Sequence, residues 1–153
     1  MSDSAAEQAP TRLLVVRHGE SNVTVNRQIG GPLTCSGLSD LGRQQAQRLR
    51  DRVAAGELPA VDEIWASTMP RAQETALIVN EALELELQIE RDFEEFRPGQ
   101  ADGMLFVEYI DQYGMIDQMA EPYKDLSPGG ESRATFFLRV GQAFDELVRT
   151  RAG

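Results

Sequence analysis

Apolar residues in this chain fall into short blocks of distinct periodicity, separated by segments rich in Gly and Pro. Leu13-Leu14-Val15-Val16 is an apolar run without alternation, the pattern of a strand covered on both faces in a parallel sheet. Residues 1–11 before it are small and polar and read as a flexible N-terminal tail. Arg17 to Leu38 holds four glycines and a proline and reads as one long functional loop. Ser39 suits the N-cap of a helix from Asp40 to Ala54, with Leu41, Ala46, Leu49 and Val53 on its apolar side. A second strand is expected over Val61 to Ala66, around Ile64 and Trp65. Pro70 opens a second helix, with a stripe of Ala72, Thr75, Ala76, Val79, Ala82 and Leu83. Leu85 to Ile89 alternates as a half-buried strand does. After a loop from Phe93 to Met104, a short helix over Leu105 to Tyr113 turns Leu105, Tyr109 and Ile110 inward. The last helix spans Ser132 to Thr150, with Phe136, Phe137, Val140, Phe144, Leu147 and Val148 as its core side. Strands alternating with helices predict an α/β domain over residues 12–153, a mainly parallel sheet with helices on both faces.

Composition narrows the function classes. The 153 residues carry 25 Asp+Glu against 15 Lys+Arg, a net charge of -10, which argues against nucleic acid as a partner. A phosphate-bearing ligand would have to meet a locally positive site inside a negative envelope. One Cys rules out an internal disulfide, and one Cys with one His makes a zinc site from those ligands a poor expectation. Cys35 reads as a small loop filler, with a reactive thiol as the alternative. No apolar run approaches the ~20 residues of a membrane span, and no secretory leader pattern opens the chain. The expected setting is reduced and cytoplasmic, without a membrane.

Chemistry concentrates in Arg17-His18-Gly19-Glu20, directly after the first apolar run. In open α/β sheets ligands bind beyond the carboxyl ends of strands, so a site belongs here. Arg17 offers a planar fork of donors for phosphate oxygens, and Gly19 permits close approach to the backbone. The sole imidazole, His18, is a competent nucleophile toward a bound phosphoryl group. Arg71 stands in the first turn of its helix, where positive charge opposes the macrodipole, which favours a ligand-binding role.

Five motifs in order resemble those of the histidine phosphatase, or phosphoglycerate-mutase-like, superfamily. They are Arg17 to Ser21 (RHGES), Gly37 to Gly42 (GLSDLG), Ser67 to Ala76 (STMPRAQETA), Phe93-Glu94-Glu95 followed by Gly99 and Gly103, and Pro128 to Ser132 (PGGES). The resemblance implies that His18 becomes phosphohistidine and that Arg17 and Arg71 bind the phosphoryl oxygens. It implies that Glu95 protonates the leaving alkoxide and then activates water. That role asks for partial burial beside Phe93 and Phe96, and Glu94 and Asp102 lie close as competing carboxylates. Thr24 stands where the family often has a phosphate-touching Asn, with Asn22 and Asn26 nearby for a shifted contact. Neither metal nor cofactor is implied.

The family's second catalytic histidine has no counterpart, because the chain contains no other His and stops at Gly153. The expectation is therefore a domain that is C-terminally incomplete, lacking its last strand or strands and one phosphate donor. The expected activity is metal-independent hydrolysis of a phosphomonoester through phosphohistidine, on a small phosphorylated metabolite such as a sugar phosphate. Two alternatives remain. One is a phosphoglycerate-type mutase, against which Gly103 to Leu126 is short for a water-excluding lid. The other is a phosphate-binding protein impaired by the absent histidine. A homo-oligomer stays open.

Overall fold

The structure, a computed structural model, describes residues 11–151. Ser39 caps the first long helix as expected, its Oγ accepting from the Gly42 N–H at 3.1 Å. After a four-residue helix α1 (Asn22–Val25), that helix is α2 (Asp40–Ala54). Strand β1 (Ile64–Ala66) leads into α3 (Pro70–Asn80), whose buried residues are Arg71, Thr75, Ala76 and Val79. Strand β2 (Leu87–Ile89) follows, then two single 3₁₀ turns at Arg91–Phe93 and Gly99–Ala101. The remaining helices are α4 (Phe106–Tyr113) and α5 (Arg133–Thr150). A reciprocal pair of bonds between Ser132 and Thr135 opens α5, completing its first turn.

β1 and β2 pair in parallel, with Ile64 opposite Leu87 and Ala66 opposite Ile89. α3 packs against both strands and against α2. On the Trp65 side of the sheet, the Phe93 ring meets Trp65 edge-on at 6.3 Å and stacks on Phe144 of α5 at 4.8 Å. No helix among the described residues is long and apolar enough to cross a membrane.

One expectation fails here and another is met only in part. Leu13 to Val16 forms no strand among the described residues, and Val15 is 79% exposed. A parallel strand needs a neighbour to accept its ladder bonds, and no described segment pairs with this one. The core side assigned to α5 is only half-buried: Phe136, Val140, Phe144, Leu147 and Val148 are partly covered, while Phe137 is 55% exposed. The Phe136 and Phe144 side finds aromatic partners outside the helix, in Phe96 and Phe93. The tail expected over residues 1–11 lies almost entirely outside the described residues.

Candidate active site

The segment after Val16 lies in direct backbone contact with α2, and side chains add to the hold. A Cβ on Gly19 would collide with the backbone carbonyl of Gly42, and one on Gly42 with that of Glu20. The two glycines let the loop lie directly on the first turn of α2. Ser39 N–H donates to the Glu20 carbonyl at 2.9 Å, and the Ser39 hydroxyl donates to the Glu20 carboxylate at 2.7 Å. Thr75 of α3 completes the seat, accepting from Gly19 N–H at 3.1 Å while donating to the Arg71 carbonyl at 2.8 Å.

On this seat the His18 Nδ1 faces the Gly19 carbonyl at 2.6 Å. A carbonyl only accepts, so Nδ1 carries the proton and Nε2 presents its lone pair. Arg71 Nε–H donates to that Nε2 at 3.1 Å. The rest of the Arg71 guanidinium, nearly fully buried, donates to the Gly30 carbonyl at 3.1 Å and to Glu95 Oε2 at 3.0 Å. Burial pushes the His18 imidazole below its ordinary pKa. The Gly19 carbonyl opposes that fall, the Arg71 charge adds to it, Glu95 opposes it and Arg17 adds. The result is a neutral imidazole beside a fixed guanidinium, suited to attack on an electrophile whose oxygens the guanidinium holds.

These groups open onto a cleft of about 390 Å³ lined by Arg17, His18, Thr24, Arg71 and Glu95 among others. Asn22 does not line it: its side-chain amide turns away to the Ser36 hydroxyl at 3.2 Å. The expected phosphate contact from Asn22 is therefore not met, because one turn of α1 points its side chain to the opposite side from Thr24's. The Thr24 hydroxyl reaches Ser21 Oγ at 2.9 Å.

Of the three candidate carboxylates, Glu95 alone lines the cleft. Asp102 instead caps the 31–34 turn, accepting from Gly31 N–H at 2.9 Å, Leu33 N–H at 2.8 Å and the Thr34 hydroxyl. Burial alone would raise the Glu94 carboxyl, but bonds from the Thr68 hydroxyl and Arg97 outweigh it and hold it below the ordinary value. The partial burial expected of Glu95 is absent, its side chain being 64% exposed and paired with Arg71.

Residues with no motif-based role hold the Glu95 loop. Glu131 accepts from Arg97 N–H at 2.9 Å and pairs with Arg139 of α5 at 2.6 Å. Arg139 in turn donates to the carbonyls of Asp92 at 2.8 Å and Glu94 at 3.1 Å. Glu131 stands in the PGGES motif without an assigned role there, and Arg139 showed only as a charge within an otherwise apolar helix face.

Residues 13–153 match the family described as the histidine phosphatase superfamily (branch 1). The chain belongs to the histidine phosphatase superfamily. This member is 36% identical over 145 residues to phosphoglycerate mutase-like protein 4 of Arabidopsis thaliana, covering 88% of the chain and 59% of that protein. It is also 36% identical over 143 residues to phosphoserine phosphatase 1 of Hydrogenobacter thermophilus, covering 92% of the chain and 65% of that relative. The chain thus spans roughly three-fifths of the length of these relatives. Among solved structures, a mycobacterial glucosyl-3-phosphoglycerate phosphatase in complex with VO3 superposes with a TM-score of 0.70 at 26% identity, over 88% of this chain and 63% of that one. The alpha-ribazole phosphatase of Shigella flexneri shares the fold at a TM-score of 0.75 and 22% identity, over 90% and 68%.

Proposed function

We propose that this histidine phosphatase superfamily chain carries the phosphoryl-transfer centre of a phosphomonoester hydrolase acting on a small phosphorylated substrate. The observation that supports the reading best is the 3.1 Å contact from Arg71 to the unprotonated Nε2 of His18, at the floor of an open cleft. The phosphoryl group of the ester binds between them, its oxygens taking the Arg71 donors with help from Arg17 and the Thr24 hydroxyl. His18 Nε2 attacks phosphorus, and the P–O ester bond breaks with its electron pair moving to the leaving oxygen. Glu95, released as Arg71 turns to the phosphoryl group, protonates that oxygen. Water then attacks phosphorus while Glu95 takes its proton, and the N–P bond breaks with its pair returning to Nε2.

The test is incubation of the chain with phenyl phosphate, followed by measurement of free phosphate and of acid-labile phosphoprotein. Both appear with the wild-type chain, and His18→Ala abolishes both. Glu95→Gln slows release by roughly 10²–10⁴-fold while phosphoprotein still forms. Turnover that survives His18→Ala overturns the assignment, and ligand binding without any turnover favours a non-catalytic phosphate binder. Isomerisation of phosphoglycerate without phosphate release favours a mutase.

A further inference from the structure

We propose that the cleft beside His18 selects phosphomonoesters whose alcohol half is aromatic or branched aliphatic, and discriminates against substrates with a second anionic group. This rests on the reading of His18 as the phosphoryl acceptor and names a substrate class for the same site. At about 390 Å³ the cleft exceeds what a phosphoryl group fills and falls within the ~300–1,000 Å³ range of small-molecule sites. Its charge sits at one end. Arg17 and Arg71 are the only Lys or Arg side chains on the wall among the described residues. Arg71 touches the imidazole, and Arg17 is its chain neighbour and close enough for its charge to act on it. The acidic group on the wall, Glu95, shares that end through its bond to Arg71.

The rest of the wall is largely apolar, through Ile29, Phe96, Phe106, Met115, Ile116 and Leu126. Two polar side chains on that wall, Tyr109 and Gln28, are engaged elsewhere, and Gln118 is a further polar group on it. The Tyr109 hydroxyl donates to the Leu126 carbonyl at 3.0 Å, and the Gln28 amide to the Gly103 carbonyl at 3.3 Å. A hydroxyl-rich sugar would lose water there for few partners, which costs more than burying a ring. A second phosphate or carboxylate would meet no Lys or Arg among the described residues of the wall beyond the His18 end, inside a chain of net charge -10. Phe106 is 49% exposed and Met115 72% exposed, so both stand at the mouth with apolar surface to cover. An aromatic ring seated on them removes that surface from water, and the methionine thioether adapts to its outline. This departs from the sugar phosphate expected from sequence.

Two non-hydrolysable probes test the proposal on the full chain by titration calorimetry, which needs no turnover. Benzylphosphonate is expected to bind at least roughly tenfold tighter than 3-phosphonopropionate, a discrimination in the range a hydrophobic pocket supplies. Phe106→Ala and Met115→Ala, at exposed positions the fold tolerates, each reduce that preference, and Ile116→Lys shifts it toward 3-phosphonopropionate. Equal affinities, the reverse order, or no binding of benzylphosphonate overturn the proposal. Failure to release phosphate from phenyl phosphate, with the probe preference intact, overturns the hydrolase reading alone and supports the assignment of the cleft.

Discussion

At the scale of single residues, His18 makes the site unusually easy to observe. It is the only imidazole in the chain, so one Cε1–H resonance reports its titration without assignment. Burial and the Arg71 charge lower its pKa, so the midpoint is expected below the ordinary value of 6.5. Arg71→Met removes a lowering charge and moves the midpoint up, whereas Glu95→Gln removes a raising one and moves it down. The same shift gives a sign for stability. As pH falls below about 6.5 the unfolded chain takes up this proton before the folded chain does, so His18 costs stability increasingly until the folded imidazole protonates. Urea midpoints of the wild-type chain and His18→Gln should therefore diverge below pH 6.5 and run parallel above it. A midpoint at or above 6.5 would contradict the buried, guanidinium-flanked environment.

At the scale of elements, the site is assembled from loops that the helices brace. α3 contributes Arg71 and Thr75 one turn apart, so a single helix both binds the imidazole and anchors the Gly19 backbone. α5 braces the Glu95 loop through the Glu131–Arg139 pair, whose side chains are 14% and 10% exposed. Arg139→Ala leaves a largely buried carboxylate without its partner and is expected to lower stability by about 3–5 kcal/mol, as read from urea unfolding. Phosphate release should fall with it, because Asp92 and Glu94 lose the donor that positions the loop. Retention of both stability and rate would show the bracket to be dispensable. Helix boundaries were visible in sequence because caps act over three or four residues: Ser39 and Ser132 both accept from the first turn of the helix they precede. The half-covered face of α5 was visible as an apolar stripe, but such a pattern does not say what will lie opposite it, and Phe137 on that stripe stays exposed.

At the scale of the whole molecule, a strongly acidic chain presents uncovered apolar surface. Leu13 to Val16 and the Phe137–Leu138 pair are exposed, and such segments associate unless charge keeps copies apart. Raising the salt concentration screens the net charge of -10 and is expected to increase self-association, measured by sedimentation velocity. Val15→Lys combined with Leu138→Glu should suppress it. A monodisperse monomer at high salt, unchanged by these substitutions, would show that the exposed run does not mediate contacts.

What sequence alone could establish was local chemistry and local order: the helix caps, the amphipathic stripes, and the residue types that handle a phosphoryl group. His18 and Arg71 could be named from their motifs, but their 3.1 Å contact joins residues 53 positions apart, and no local pattern encodes that closure. Long separations in sequence likewise hid Thr75 and Arg139 as supports, whereas Glu95 could be named from its motif and the structure adds that it, and not Glu94 or Asp102, lines the cleft. Leu13 to Val16 shows the reverse case. Its composition suits a strand, yet a strand exists only where another segment accepts its backbone bonds, and that partner is a property of the assembled chain.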